Sequence, residues 1–350
     1  MKEFDYLNLD VYIGRGANAW SARVLPPSGL APSIDFDLSN LTTLESFSNF
    51  KDEAAAISVG RYLFGALFGT NNTRTAFEET VQRAKEQNKR VRVRLRFDEI
   101  PELLSLPWEF MYDPERGFLS TQEFTPIVRF LTSTRSSDTS IIVPPLRILV
   151  MIANPSDHEE LNTELEWQAL NDALANLKRT GDVQLERVPV QTIEGLQEYL
   201  QRSRERSTFH VFHFIGHGGV DLADGKGVVY FTRASGKGVP ITGDQLGTVL
   251  SDYSSIRLAF LNSCKSASTT PASFASVAHR LVKKGIDCVV GMQFDITDDS
   301  AHQFAKEFYI NFAGHTVEYA MATARKMLFA KDIRTDSYLT QGTNVVNCAP

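Results

Sequence analysis

The sequence predicts an α/β protein built on a mainly parallel sheet with helices on both faces. Runs of β-branched and aromatic residues at 209–215, 257–261 and 288–293 lack polar alternation, the mark of strands buried on both sides. Amphipathic stretches of about 10 to 20 residues separate them, which is the spacing of a covered parallel sheet. With 350 residues, 43% hydrophobic and 22% charged, the chain has the composition of a globular protein with a large core.

Taken in order, residues 7–13 and 17–25 read as paired strands, and 51–68 and 76–87 as helices. Residues 90–97 alternate arginine with apolar residues, a strand with one wet and one buried face. Its arginine stripe (Arg90, Arg92, Arg94, Arg96) reads as the solvated or salt-bridged face of an outer strand. The polar stretch 132–140 and the Pro144-Pro145 pair read as a linker between an N-terminal α/β region, 1–140, and a second domain, 145–350. That second domain reads as strand 147–152, helix 159–178, strand 183–190, helix 193–206 and strand 209–215. A hairpin follows at 228–232 and 239–241, turning at 235–238, then helix 243–252 and strand 257–261. Thr270 is a sensible N-cap, and Pro271 a first residue, for a helix over 272–284. Strand 288–293 and helices 300–312 and 317–330 close the domain.

Charge and cysteine content exclude several functions. The net charge of −6 gives no reason to expect a nucleic-acid partner, and the arginine stripe carries no accompanying aromatics that would change this. Three cysteines without a C-x-x-C pair do not form a disulfide framework and suit a reducing cytoplasm. The N-terminus lacks the apolar run of a secretory signal. The apolar stretch 54–69 carries Arg61 and falls short of the roughly 20 residues that span a membrane. His158, His210, His279, His302 and His315 show no metal-ligand spacing, so no metal is expected.

Two segments carry the chemistry. Phe209-His210-Val211-Phe212-His213-Phe214-Ile215-Gly216-His217-Gly218-Gly219 stops on His217, and Leu258-Ala259-Phe260-Leu261-Asn262-Ser263-Cys264 stops on Cys264. Parallel sheets place reactive groups just beyond the carboxyl ends of their strands. A catalytic thiolate needs a proton acceptor, and imidazole titrates near working pH. Histidine precedes cysteine by close to the roughly 50 residues that separate the pair in caspases. Gly218 and Gly219 allow close backbone approach, which makes the N–H groups of Gly218 and Cys264 candidate oxyanion donors. Taken singly, a cysteine ending an apolar strand is usually inert core, and a histidine there is usually structural. Order, spacing and glycines together favour a His217–Cys264 dyad. No Asp or Asn is assigned as a third member. His213 reads as a hydrogen-bonded core residue, and Cys288 and Cys348 as structural.

His213-Phe214-Ile215-Gly216-His217-Gly218 and Leu261-Asn262-Ser263-Cys264-Lys265-Ser266 resemble the two catalytic motifs of CHAT-domain proteases, caspase-like cysteine peptidases related to separase and gingipain. Leu106-Pro107-Trp108-Glu109 is similar to that family's Leu-Pro-Trp-Glu segment, and residues 289–299 to the strand and loop after its nucleophile. Gln341-Gly342-Thr343 stands where the family closes on Trp-Gly-Thr-Pro; this chain lacks the Trp and Pro. The resemblance implies a caspase-like (caspase–hemoglobinase) fold, with the N-terminal half a degenerate pseudo-caspase or regulatory unit. It implies His217 as base and Cys264 as nucleophile, with no metal or organic cofactor. Protein substrates cut under control of a partner or signal are implied too, in bacterial defence or programmed cell death. The substrate would be encoded nearby, and an activating partner or signal would act on the N-terminal half.

Separase-like relatives favour a basic residue before the cut, which calls for a carboxylate in the S1 pocket. Asp295 and Asp298 are the candidates, although Asp298 also suits a helix N-terminus. Neutral Asn262, two residues before Cys264, keeps a small or apolar preference open. Two rival readings remain: a non-catalytic caspase-like scaffold or sensor, and a small-molecule acyl-transfer hydrolase. The second lacks a Gly-x-Ser-x-Gly elbow.

Overall fold

The computed structural model describes residues 5–16, 19–29, 31–37, 53–97, 100, 103, 106–131, 144–204, 208–221, 225–262, 271–292, 298–330 and 343–346; side chains of 271–275, 292, 298–299 and 343–346 lie outside the description. In chain order the first elements are β1 (Tyr6–Arg15), β2 (Trp20–Leu25), β3 (Ser33–Phe36), α1 (Glu53–Phe68), α2 (Asn71–Glu86) and β4 (Arg90–Phe97). A short hairpin, β5 (Tyr112–Asp113) and β6 (Gly117–Phe118), leads to β7 (Ile127–Phe130). Then come β8 (Leu146–Ile152), α3 (Thr163–Ala173), α4 (Ala175–Thr180), β9 (Val183–Arg187), α5 (Ile193–Ser203), β10 (Val211–Ile215), β11 (Gly218–Val220), β12 (Gly227–Thr232) and β13 (Gly238–Thr242). The last are α6 (Gly243–Ser251), β14 (Leu258–Asn262), α7 (Pro271–Lys283), β15 (Cys288–Met292), α8 (Asp298–Phe312), α9 (Val317–Ala330) and β16 (Thr343–Val346).

One sheet runs through both halves in the order β3-β2-β1-β4-β7-β16-β15-β14-β10-β8-β9. β1, β4 and β7 are mutually parallel, and β15, β14, β10, β8 and β9 likewise. β16 is parallel to β7 and antiparallel to β15, so the two sets of strands point in opposite directions. The carboxyl ends of the N-terminal set therefore lie at one edge of the sheet, and those of the C-terminal set at the other.

Burial explains the layers. α1 and α2 cover one face of the N-terminal strands, on Leu9, Val11, Val91, Val93 and Leu95. In the C-terminal half α3, α8 and α9 pack on Ile148, Val150, Val211, Phe260 and Val290. α5, α6 and α7 cover the opposite face on Leu149, Met151, Phe212, Phe214, Ala259 and Val289. Helix starts are satisfied by side chains: Thr192 accepts from the Gly195 N–H, and Thr242 forms a capping box with Gln245.

Three expectations need correction: first, the helix predicted over 76–87 already begins at Asn71, where Thr70 caps it by accepting from the Thr73 N–H. The helix predicted over 159–178 begins only at Thr163 and breaks at Leu174 into α3 and α4. β4 is not an outer strand, since β1 and β7 flank it. Its arginines face internal partners: Arg92 Nε lies 2.6 Å from Glu318 of α9, and Arg94 and Arg96 share Asp10 of β1 at 2.6 and 2.5 Å. The Leu-Pro-Trp-Glu segment is structural in its contacts. Trp108 is buried with its Nε1–H on the Leu103 carbonyl at 2.8 Å. Glu109 takes a bidentate pair from buried Arg129 at 2.8 and 2.6 Å.

Candidate active site

β10 and β14 are adjacent and parallel, with Ile215 level with Asn262 at their carboxyl ends. Every residue of both strands is buried, as their unbroken apolar runs require. Beyond Ile215 the chain must pass close to β8. A Cβ on Gly216 would lie 2.7 Å from the Phe214 ring and 3.0 Å from the Ala153 carbonyl, so only glycine fits. This brings His217 to the sheet edge, where β11 turns away to pair with β12.

The His217 imidazole is fully buried. Its Nε2 lies 2.8 Å from the main-chain carbonyl of Glu159. A carbonyl can only accept, so Nε2 carries a proton and donates it to Glu159. The orienting group is a backbone oxygen, which no residue type announces.

Asn154 explains why that oxygen is available. Its side chain donates to the Leu161 carbonyl at 3.0 Å and accepts from the Leu161 N–H at 3.2 Å. The clamp satisfies backbone groups as a strand partner would and keeps 159–162 out of the helix. Asn162 then caps α3 by accepting from the Leu165 N–H. The Asn154 N–H is itself held by Gln191 Oε1 at 3.0 Å.

His158 packs against the site, its ring centroid 5.2 Å from that of His217 and 4.3 Å from that of Tyr230. Asp157 takes the Gly238 N–H at 2.7 Å and faces His158 Nδ1 at 3.1 Å. The Gly238 amide first, and then His158, hold its carboxyl below the usual range. The β12–β13 hairpin is thereby fastened to the loop that carries the Glu159 carbonyl.

The remaining candidates fall as follows. Gly218 opens β11 opposite Val229. Asn262 ends β14 and is buried, its Nδ2 3.4 Å from Glu166 of α3. Glu166 is a buried carboxylate at this edge that sequence reading did not single out. Cys264 and Asp295 lie outside the described residues. Asp298 opens α8, its side chain outside the description. His213 is the core residue expected: buried, 2.7 Å from the Tyr309 hydroxyl and stacked on Phe260 at 4.8 Å. Burial pushes its pKa down to about 3. Cys288 is buried and disulfide-bonded. Among the described residues no cluster of His, Cys, Asp and Glu could hold a metal, and no helix is long and apolar enough to cross a membrane.

These features define an α/β protein whose candidate chemistry sits where adjacent parallel strands end. The chain belongs to the CHAT domain family, which matches residues 69–339. Among solved structures it is similar to separase in two separase–securin complexes from Saccharomyces cerevisiae. Identities are 17% and 15%, with TM-scores of 0.39 and 0.40, over 79% and 78% of this chain. In both cases the match spans only 17% of the separase chain. The Drosophila initiator caspase Dronc is similar at 12% identity and a TM-score of 0.33, over 57% of this chain and 78% of that one. No curated protein matches the chain.

Proposed function

We propose that this chain is a cysteine endopeptidase in which Cys264 attacks a peptide carbonyl and His217 manages the proton. The observation that carries the reading is the 2.8 Å bond from His217 Nε2 to the Glu159 carbonyl. It orients an imidazole at the end of the strand beside the one that leads to Cys264. His217 Nδ1 takes the thiol proton and the sulfur bonds to the scissile carbon. The proton then passes to the departing amine, and water attacks the thioester to release the acid and restore the thiol. The N–H groups of Gly218 and Cys264 are the proposed oxyanion donors, and Asp295, Asp298 and Asn262 the proposed S1 residues. No metal or organic cofactor takes part in this scheme.

The N-terminal half, 1–140, is proposed as a non-catalytic pseudo-caspase or regulatory unit on which an activating partner or signal acts. The substrate is proposed to be a protein encoded nearby, and the setting bacterial defence or programmed cell death in the cytoplasm. The complete burial of His217 favours a second reading, a caspase-like scaffold or sensor. A panel of fluorogenic peptides and co-encoded proteins tests both. Turnover by wild type that is lost in Cys264→Ala and His217→Ala supports the peptidase. No turnover of any of them, even with a partner present, favours the scaffold.

A further inference from the structure

Every arginine of the stripe has an internal carboxylate partner, yet its two ends lie in different surroundings. Its Arg90 and Arg92 end lies under α9, where Arg92 meets Glu318 and Arg90 stacks on Tyr319 at 4.8 Å. Its Arg96 end borders a cleft of about 860 Å³ at the ends of the strands, within the range of small-molecule sites. The cleft lies beyond the carboxyl ends of β1, β4 and β7, where ligands of parallel sheets sit. That edge is opposite the one carrying His217. The C-terminal part of α7, with His279 and Lys283, forms the far wall.

The floor is a continuous cross-strand row. Ser33, Arg23, Tyr12, Arg96 and Phe130 stand level on β3, β2, β1, β4 and β7. Guanidinium and ring alternate along it: Arg23 lies 5.5 Å from the Tyr12 ring, and Arg96 5.4 Å from Tyr12 and 4.1 Å from Phe130. Stacking holds each guanidinium by its face; Arg96 gives its Nε–H to Asp10, so its terminal nitrogens and the edge of Arg23 are what a ligand would meet. Positive charge is in excess, because Asp10 serves both Arg94 and Arg96, and Arg23 forms no ion pair with a described residue. Asp35 is the acid among the lining residues, against Arg23, Arg96 and Lys283 as the bases. Gly14 lines the cleft, and a Cβ there would enter open space.

We propose that this cleft binds a multiply charged phosphoryl-bearing small molecule, its oxygens held by the edge of Arg23 and the terminal nitrogens of Arg96. Planar forks fixed against rings suit phosphate oxygens better than flexible lysines would. The chain as a whole is negative at −6, so this is a local cation-rich site on an acidic surface. The assignment does not depend on the peptidase reading.

Calorimetric titration of the full chain with ATP, pyrophosphate and adenosine, at low salt, is the test. ATP and pyrophosphate should bind, and adenosine should not. Arg23→Glu reverses an exposed charge, and Gly14→Leu fills the cleft without changing charge; each should weaken ATP at least about tenfold. Arg23→Lys should retain more affinity than Arg23→Glu. Circular dichroism and thermal melts of each variant should match wild type. ATP binding well above pyrophosphate would identify a nucleotide ligand, and equal binding a simple phosphoryl anion; both support the site. Failure of both anions at millimolar concentration overturns the proposal. So does binding that survives both Arg23→Glu and Gly14→Leu.

Discussion

At the scale of single residues, two histidines four positions apart, one within β10 and one just past its end, meet opposite fates. His213 and His217 follow the same alternation, yet one is sealed between Phe260 and Tyr309 and the other is held at the strand end by a carbonyl. The difference was legible in part, since depth along the strand follows from position. His213 gives a pH prediction. Its folded pKa is depressed to about 3 from about 6.5 in the unfolded chain, so the unfolded state binds more protons between those values. Stability is complete above about pH 6.5 and falls on acidification through that window, by at most about 1.4 kcal/mol per pH unit. His213→Phe removes the titrating group. Urea midpoints at pH 7 and pH 5 should therefore differ less in the variant than in wild type, even though losing the Tyr309 bond lowers both. An unchanged difference would refute a neutral buried His213.

At the scale of elements, periodicity placed most strands and helices within a residue or two, because buried parallel strands and amphipathic helices each write their period into the sequence. What it missed was set by contacts from elsewhere in the chain. The 159–178 periodicity is genuine, but the Asn154 side chain captures Leu161 and delays the helix to Thr163. The Glu159 carbonyl is a by-product of that delay, so Asn154 is a positioning residue. Asn154→Ala should cost about 1–3 kcal/mol of stability, as two hydrogen bonds to backbone are lost. If the peptidase reading holds, kcat should fall by roughly tenfold with little change in KM, because the imidazole is misoriented and not removed. A fall in KM-dependent binding alone would assign Asn154 to the substrate site. The arginine stripe teaches the same lesson: alternation disclosed the strand, while the carboxylates on β1 and α9 that cover it are remote in sequence. Arg92 and Glu318 are both nearly inaccessible, at 5% and 2% side-chain exposure. Glu318→Gln should thus leave a buried guanidinium without its counter-charge and cost about 3–5 kcal/mol, seen as a lower urea midpoint. Arg92→Met with Glu318→Leu should recover much of that loss.

At the scale of the whole molecule, the sheet is continuous only because β16 enters between β7 and β15. Nothing in the local sequence of 343–346 tells that a strand at the far end of the chain joins two sets of strands pointing opposite ways. α7 also joins the two edges: it begins at Pro271, soon after Cys264, and ends at Lys283 in the cationic cleft. The β16 contacts are lopsided. Four residues pair with β15, whereas the register with β7 is the single pair Val346↔Arg129. Val345 faces Val290 in the antiparallel ladder, so Val345→Pro removes a donor and fixes φ where the strand is flanked on both sides. The expected cost is about 3 kcal/mol or more, together with loss of cooperativity between the halves. Calorimetry should turn one transition into two, and hydrogen exchange should rise along β7 and β15 while β1 and β10 keep their protection. A variant that melts in one step at the wild-type temperature would show that β16 is not what unites the sheet. Edges left open on β7 and β15 should also promote association, so the melt is best read at several protein concentrations.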